Sequence, residues 1–294
     1  MNDKVIFAWQ GSAIRKTRIA SDPAFAAEQV RKAALAGDAA AQLSFGLMLL
    51  DGHGTPRDLP AAFNWIQIAA RAGGRDATNM LGRCHELGWG TDINLTVAAQ
   101  CYRAAAELKH PWAQFNLACL MLREDGVPGE ITEALTLLAR AARQGNIKAM
   151  SMLGRCCEEG WRGSPKPAAA RRWYLRAARG GCFRGAFHTA RYYIAEGETD
   201  RAVQWLRQSI ASAPADFCEE LASVFAGHPD ERLRAISELA RTRAAQAARQ
   251  APAGAPRAEA MSSLSMPSQE RTRKIRPVRR AVRRIAASVG IVRP

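Results

Sequence analysis

The chain has 294 residues, 48% of them hydrophobic and 23% charged, enough apolar material for one or two packed domains and too much for an extended disordered protein. Its formal net charge of +15 is placed unevenly: residues 241–294 hold 13 Lys/Arg against 2 Asp/Glu, so a nucleic-acid-like field belongs to the tail and not to the body. No run of about 18 uncharged apolar residues could span a bilayer, Met1 to Ala20 lacks the apolar stretch of a secretory leader, and the seven cysteines are odd in number, so the sequence reads as that of a cytoplasmic protein with reduced thiols.

In chain order, residues 1–20 carry no strong structural signal and are expected to be weakly ordered. Ser21-Asp22-Pro23 then opens a helix to about Ala36, with Ser21 or Asp22 as N-cap and Pro23 in its first turn, and residues 21–37 form a capping helix. From residue 38 the sequence repeats at a step of 36. Gly46, Gly82, Ala118, Gly154 and Ala190 fall in one small-residue column, and Ala41, Ala77, Ala113, Ala149 and Gly185 in a second. Phe45, Leu81, Leu117 and Leu153 form a third column, and the pairs Ala69-Ala70, Ala105-Ala106, Ala141-Ala142 and Ala177-Ala178 a fourth.

Each repeat reads as two helices. The first carries apolar or small residues one helical turn apart and ends in a glycine turn such as Gly88-Trp89-Gly90. The second is amphipathic, as over Ala61 to Ala72, and stops at a glycine such as Gly73. Small residues at the helix contacts let backbones approach closely, and stacked hairpins bury a continuous core that one hairpin could not. The expected units are 38–73, 74–109, 110–145, 146–181 and a shortened 182–212.

Beyond the repeats, residues 213–249 read as a capping helix pair, with segments 216–225 and 229–248 joined near Gly227. Residues 250–270 shift to Ala, Pro, Ser, Gly and Met, the composition of a disordered linker. The tail, 271–294, is basic: Arg271, Arg273, Lys274, Arg276, Arg279, Arg280, Arg283 and Arg284 alternate with Ile275, Val278, Val282, Ile285, Val289 and Val292 at helical spacing. Such a segment orders only on a partner, and an acidic protein groove or an anionic membrane surface accounts for its apolar stripe better than nucleic acid does. With no aromatic residue from Arg271 to Pro294, base stacking is absent there as a mechanism.

The order Ala149-x-x-x-Leu153-Gly154, then Glu158-Glu159-Gly160, Gly163, Ala168 to Ala170, Trp173-Tyr174, Ala177-Ala178 and Gly181 resembles the Sel1-like repeat, a relative of the tetratricopeptide repeat. The resemblance extends over about Asp38 to Ser212 and implies an all-α, alpha-alpha superhelix of about five repeats acting as an interaction scaffold or adaptor for proteins. There are departures. The family's first-helix tyrosine falls on Leu49, His85, Met121, Cys157 and Tyr193, and the third repeat has lost part of its glycine loop at Arg123-Glu124-Asp125-Gly126. The cysteine that pins some relatives by a disulfide is replaced by Ala70, Ala106, Ala142 and Ala178.

By the same resemblance the inner groove is lined by first-helix residues flanking the packing positions. These are Asp76, Trp112, Lys148 and Arg184; Asn79, Phe115, Ser151 and Phe187; and Arg83, Cys119, Arg155 and Arg191. Guanidinium forks interleaved with aromatic anchors suit an extended acidic peptide of a protein partner. The bland alternative is that the arginines solvate the helices or pair with Glu86 and Glu158, three residues onward from Arg83 and Arg155.

An enzyme finds little support. His53, His85, His110, His188 and His228 are scattered without metal-ligand spacing, and adjacent Cys156-Cys157 suits neither a zinc knuckle nor a redox pair. No phosphate-cradling loop or nucleophile elbow is present. His85 is expected in the core, and Glu158-Glu159, about 100° apart on a helix, is expected to be a solvated helix end. No cofactor, metal or small-molecule substrate is implied.

Overall fold

The computed structural model describes residues 22–123 and 125–250. These contain 13 α-helices and no strand, in the order α1 (Pro23–Leu35), α2 (Ala39–Asp51), α3 (Leu59–Arg71), α4 (Arg75–Leu87), α5 (Leu95–Glu107), α6 (Pro111–Met121), α7 (Ile131–Arg143), α8 (Ile147–Glu159), α9 (Pro167–Arg179), α10 (Phe183–Ala195), α11 (Thr199–Ser212), α12 (Ala215–Phe225) and α13 (Glu231–Gln250). The all-α repeat class read from the 36-residue step is what the structure has. The sequence-based assignments for segment 1–20, most of linker 250–270 and the basic tail Arg273, Lys274, Arg276, Arg279, Arg280, Arg283 and Arg284 lie outside the described residues.

Local chemistry sets the helix ends. Asp22, Asp38, Asp58 and Asn94 accept the N–H three residues on, at 2.9 to 3.0 Å, satisfying a first-turn donor of α1, α2, α3 and α5. His110 caps α6 the same way: its Nδ1 accepts from Ala113 N at 3.0 Å while Nε2 lies 2.9 Å from Asp76. The ring is therefore neutral and carries its proton on Nε2, and burial, the largest influence, lowers its pKa despite Asp76. Gly52, Gly88 and Gly160 end the first helices of three hairpins in the left-handed conformation, with φ of 70 to 71°.

A hydrogen bond closes each of these three hairpins. The N–H of Asp58, Asn94 and Lys166 donates to the carbonyl of Leu49, His85 and Cys157, at 3.0, 2.8 and 2.7 Å. These carbonyls belong to the column in which the family carries a tyrosine, so the backbone at that position works whatever side chain is present. In the fifth hairpin only residues 196–198 connect α10 and α11, which accounts for the shortened final repeat.

The described residues fall into two compact units divided between Asn146 and Ile147, a boundary that the even step of 36 does not reveal. In the first, helices α1 to α7 each pack on the next. Phe45, Leu49, Ile66, Cys84 and Trp89 share one of its cores, so Trp89 leaves its own turn and inserts between hairpins. In the second unit α8 to α11 pack in sequence, α12 pairs with α13, and α13 returns against α11. Phe187, Leu206, Phe217, Leu221, Phe225 and Leu233 form a core there, each fully buried side chain contributing about 1.5–3 kcal/mol.

Candidate functional site

The first helix of each hairpin places the residues expected to line a groove, and the structure separates them into three kinds. Arginines stacked on aromatic rings form the first. Arg83 on α4 lies 4.8 Å from the ring centroid of Trp89, and Arg155 on α8 lies 5.1 Å from that of Trp161. The two pairs occupy equivalent places two repeats apart, one in each unit. Arg184 on α10 rests 4.6 Å over Phe183. A guanidinium on an indole loses none of its in-plane donors to the stack, so the edge of the fork keeps its hydrogen-bonding capacity.

Buried ion-pair networks are the second kind. Arg191 was expected on the groove, and it is committed instead to Glu158, at 2.8 Å in a largely buried pair. Glu158 also accepts from Tyr174 Oη at 3.0 Å and Tyr192 Oη at 3.2 Å. It is thus an internal anchor, correcting the expectation of a solvated helix end. Glu86 repeats the device in the first unit, accepting from Tyr102 Oη at 2.6 Å and from Arg123 at 3.1 Å. Burial raises the pKa of Tyr102 and Tyr174, with the adjoining carboxylates adding to the effect, so both phenols remain donors. The bland expectation is met by Arg191, which reaches back 33 residues to Glu158, and not by Arg83 and Arg155, which form no ion pair with the glutamates three residues onward.

The third kind is core. Asn79 is 7% exposed and accepts from Asn116 Nδ2 at 3.1 Å; Phe115 is 3% exposed and Phe187 2%. Their side chains do not face solvent. Every residue of α6 from Ala113 to Met121 is buried: the segment carries no charged side chain, and its two polar members are satisfied inside, Asn116 donating to Asn79 and Gln114 donating to Ala106 O at 3.4 Å and accepting from Gln144 at 2.9 Å. Cys119 goes in with it. Phe187 is covered by the terminal cap, its ring 5.5 Å from that of Phe217 at 90°. Trp112, at the start of α6, is 41% exposed and sits edge-on to Phe115, while Lys148 and Ser151 are half-buried.

The histidines have individual, separate settings. His85 packs edge-on to Phe63 with ring centroids 5.3 Å apart, and burial lowers its pKa. His188 stacks on Tyr174 at 4.3 Å and accepts Arg191 Nη1 at 2.7 Å through Nδ1; arginine has only donors to offer, so the ring is unprotonated there. Burial pushes the Cys84 and Cys156 thiols up to about 12, the condition of packed, unreactive cysteines. Among the described residues no cluster of His, Cys, Asp and Glu is arranged to hold a metal ion, and no helix is long and apolar enough to cross a membrane.

Serial helical hairpins with glycine turns define an alpha-alpha repeat protein of the tetratricopeptide-related class. The family model of the Sel1 repeat matches residues 37–74, 75–110, 113–146 and 147–182, and across that span the chain is a Sel1 repeat protein. Among solved structures, a Sel1 repeat protein from Oxalobacter formigenes superposes with a TM-score of 0.67 at 23% identity, covering 78% of this chain and 98% of that one. A protective antigen present in uropathogenic Escherichia coli strains is 29% identical with a TM-score of 0.58, over 76% of this chain; this chain spans about half, 49%, of that protein. An immunity protein from Pseudomonas aeruginosa matches at 21% identity and a TM-score of 0.54, over 72% of this chain and 82% of its own, a likeness of fold alone. No curated protein matches the chain.

Proposed function

We propose that this chain is a non-catalytic scaffold or adaptor that binds an acidic segment of a partner protein at its first-helix arginines. Arg83 serves in the first unit, and Arg155 and Arg184 in the second. Sel1 repeat proteins generally mediate protein–protein interaction. The observation that carries the reading is the arginine–tryptophan stack repeated in register in both units, which pre-orders a flexible cation for recognition at reduced entropic cost. Exposed Trp112 adds an apolar anchor, and half-buried Lys148 a further charge. Asn79 and Phe115 pack in the core of the first unit and Phe187 in that of the second, where Arg191 ties α10 to α8 through Glu158.

Replacing both Arg83 and Arg155 with Glu is expected to abolish recovery of the native partner in an affinity purification, and unchanged recovery overturns the assignment. Arg191→Glu would not serve, because it sets two carboxylates against each other in a buried network. A cytoplasmic setting belongs to the same reading and is supported by seven cysteines that form no disulfide. The charge of residues 241–294 favours a second reading, in which the tail makes the protein a nucleic-acid-associated or membrane-surface regulator.

A further inference from the structure

The two arginine–tryptophan stacks are equivalent in position and differ in electrostatic setting. Near Arg83 stands a carboxylate, Asp51, whose pKa burial raises while His53, Arg57 and Arg83 pull it down. Around Arg155 the charges are mixed: Arg184 acts on it as a like charge, while the carboxylate of Glu159 accepts at 2.7 Å from Nε1 of Trp161, the ring on which Arg155 stacks. The Glu158–Arg191 bond fixes how α8 lies beside α10, and one turn back on each helix come Arg155 and His188. Arg184 stands one further turn back on α10. Burial drives the pKa of His188 well down, with Arg191, Arg155 and Arg184 adding to it, and burial likewise lowers that of Arg184, with Arg155 adding a smaller effect against Cys182 and Asp216.

Against these three arginines stand Glu158, already shared with Tyr174, Tyr192 and Arg191, and Glu159, an exposed carboxylate bonded to Trp161. Asp216 offsets Arg184 through space, and among the described residues neither Arg184 nor Arg155 forms an ion pair. The Nε of Arg155 is buried and donates to nothing. A buried guanidinium donor without an acceptor is costly, and a cluster of like charges around a neutral imidazole compounds the cost. Both defects are removed by one added anion.

We propose that Arg155 and Arg184, backed by Arg191 and His188, form an anion subsite in the second unit that accepts a carboxylate or phosphate group of a bound peptide. This rests on the reading of the first-helix arginines as partner-binding and goes further, since it confines the strong anion contact to one unit. Arg83, already facing Asp51, contributes apolar stacking and weaker charge. Trp161 covers one face of the Arg155 guanidinium, so an anion meets it from another side.

The test uses the full chain labelled with nitrogen-15, following the arginine Nε–H signals during titration with inorganic phosphate, with acetyl-tetraglutamate amide and with acetyl-tetraglutamine amide. The Arg155 signal, assigned by its loss in Arg155→Lys, is expected to move with either anionic probe and to stay fixed with tetraglutamine. Arg184→Gln should weaken the response about fivefold, as loss of one charge-assisted contact does, and Arg83→Gln should leave it unchanged. A response to phosphate alone supports the subsite with a phosphoryl group as its source; a response to tetraglutamate supports acidic side chains. No movement with either anion overturns the subsite. Equal weakening by Arg83→Gln overturns its confinement to the second unit. Both negative results leave the adaptor reading to be decided by the Arg83→Glu, Arg155→Glu purification, so the two failures are distinguishable.

Discussion

At the scale of single residues, the small-residue column is explained by what lies opposite each member. A Cβ at Gly154 would stand 2.6 Å from the ring of Tyr174, and one at Gly82 would stand 2.8 Å from the ring of Tyr102. Both tyrosines are fully buried with no side step available. The third hairpin has alanine in the column, Ala118, and Leu138 where the tyrosine would fall, so bulk on one helix trades against bulk on the other. We expect Gly154→Ala to destabilise the protein by about 1–3 kcal/mol through overpacking, even though alanine is the better helix former. Adding Tyr174→Leu should cost less than the sum of the two single changes, by about 1 kcal/mol in a double-mutant cycle. Additive costs measured by urea unfolding would show that the column is small for another reason.

At the scale of elements, the second helices stop by a common device. Gly37, Gly73, Gly145 and Gly181 follow the helices α1, α3, α7 and α9 with φ between 85 and 93°. Lys109 occupies the same register after α5 and is held at φ 59°, the one non-glycine residue with positive φ among those described. At Gly73, Gly145 and Gly181 a Cβ would meet nothing within 4 Å, so the cost of a side chain there is one of backbone conformation, not of space. Lys109→Gly is therefore expected to stabilise the protein by about 0.5–1 kcal/mol, the left-handed penalty less the added freedom of the unfolded chain. A higher urea midpoint with an unchanged m-value is the expected result, and a lower midpoint would refute the account.

At the scale of the whole molecule, charge divides the chain between two modes of binding. The repeats carry interspersed acidic and basic residues, many already tied to one another, whereas 13 of the 42 Lys/Arg lie in residues 241–294 with 2 acidic residues among them. A chain ending at Arg249 is expected to keep its protein partner, since the arginine–tryptophan stacks remain. It should lose affinity for anionic vesicles or duplex DNA, and the intact chain should lose the same affinity between about 50 and 200 mM salt. Partner capture that disappears on truncation would transfer the function to the tail.

The step of 36, the glycine stops and the alanine pairs determined from sequence that the chain is a series of helical hairpins, because those signals are local: a helix period, a cap, a left-handed turn. The same register put Arg83, Arg155 and Arg191 in one column. Which first-helix faces stay outside was decided only by tertiary structure. Asn79, Phe115 and Phe187 occupy groove columns yet are buried, since Asn79 is bonded to Asn116, α6 is enclosed from Ala113 to Met121, and the terminal cap puts Phe217 over Phe187. That α6 holds no charged residue is legible in the sequence; that Gln114 and Asn116 are bonded inside is not. The capping contact, by contrast, joins residues far apart in the chain and leaves no periodic trace. Likewise, that Arg191 would serve Glu158 while Arg155 remained without an acceptor for its Nε depends on how two helices lie side by side. Sequence spacing describes neighbours along one helix, and the affinity of a charge is set by neighbours on the next.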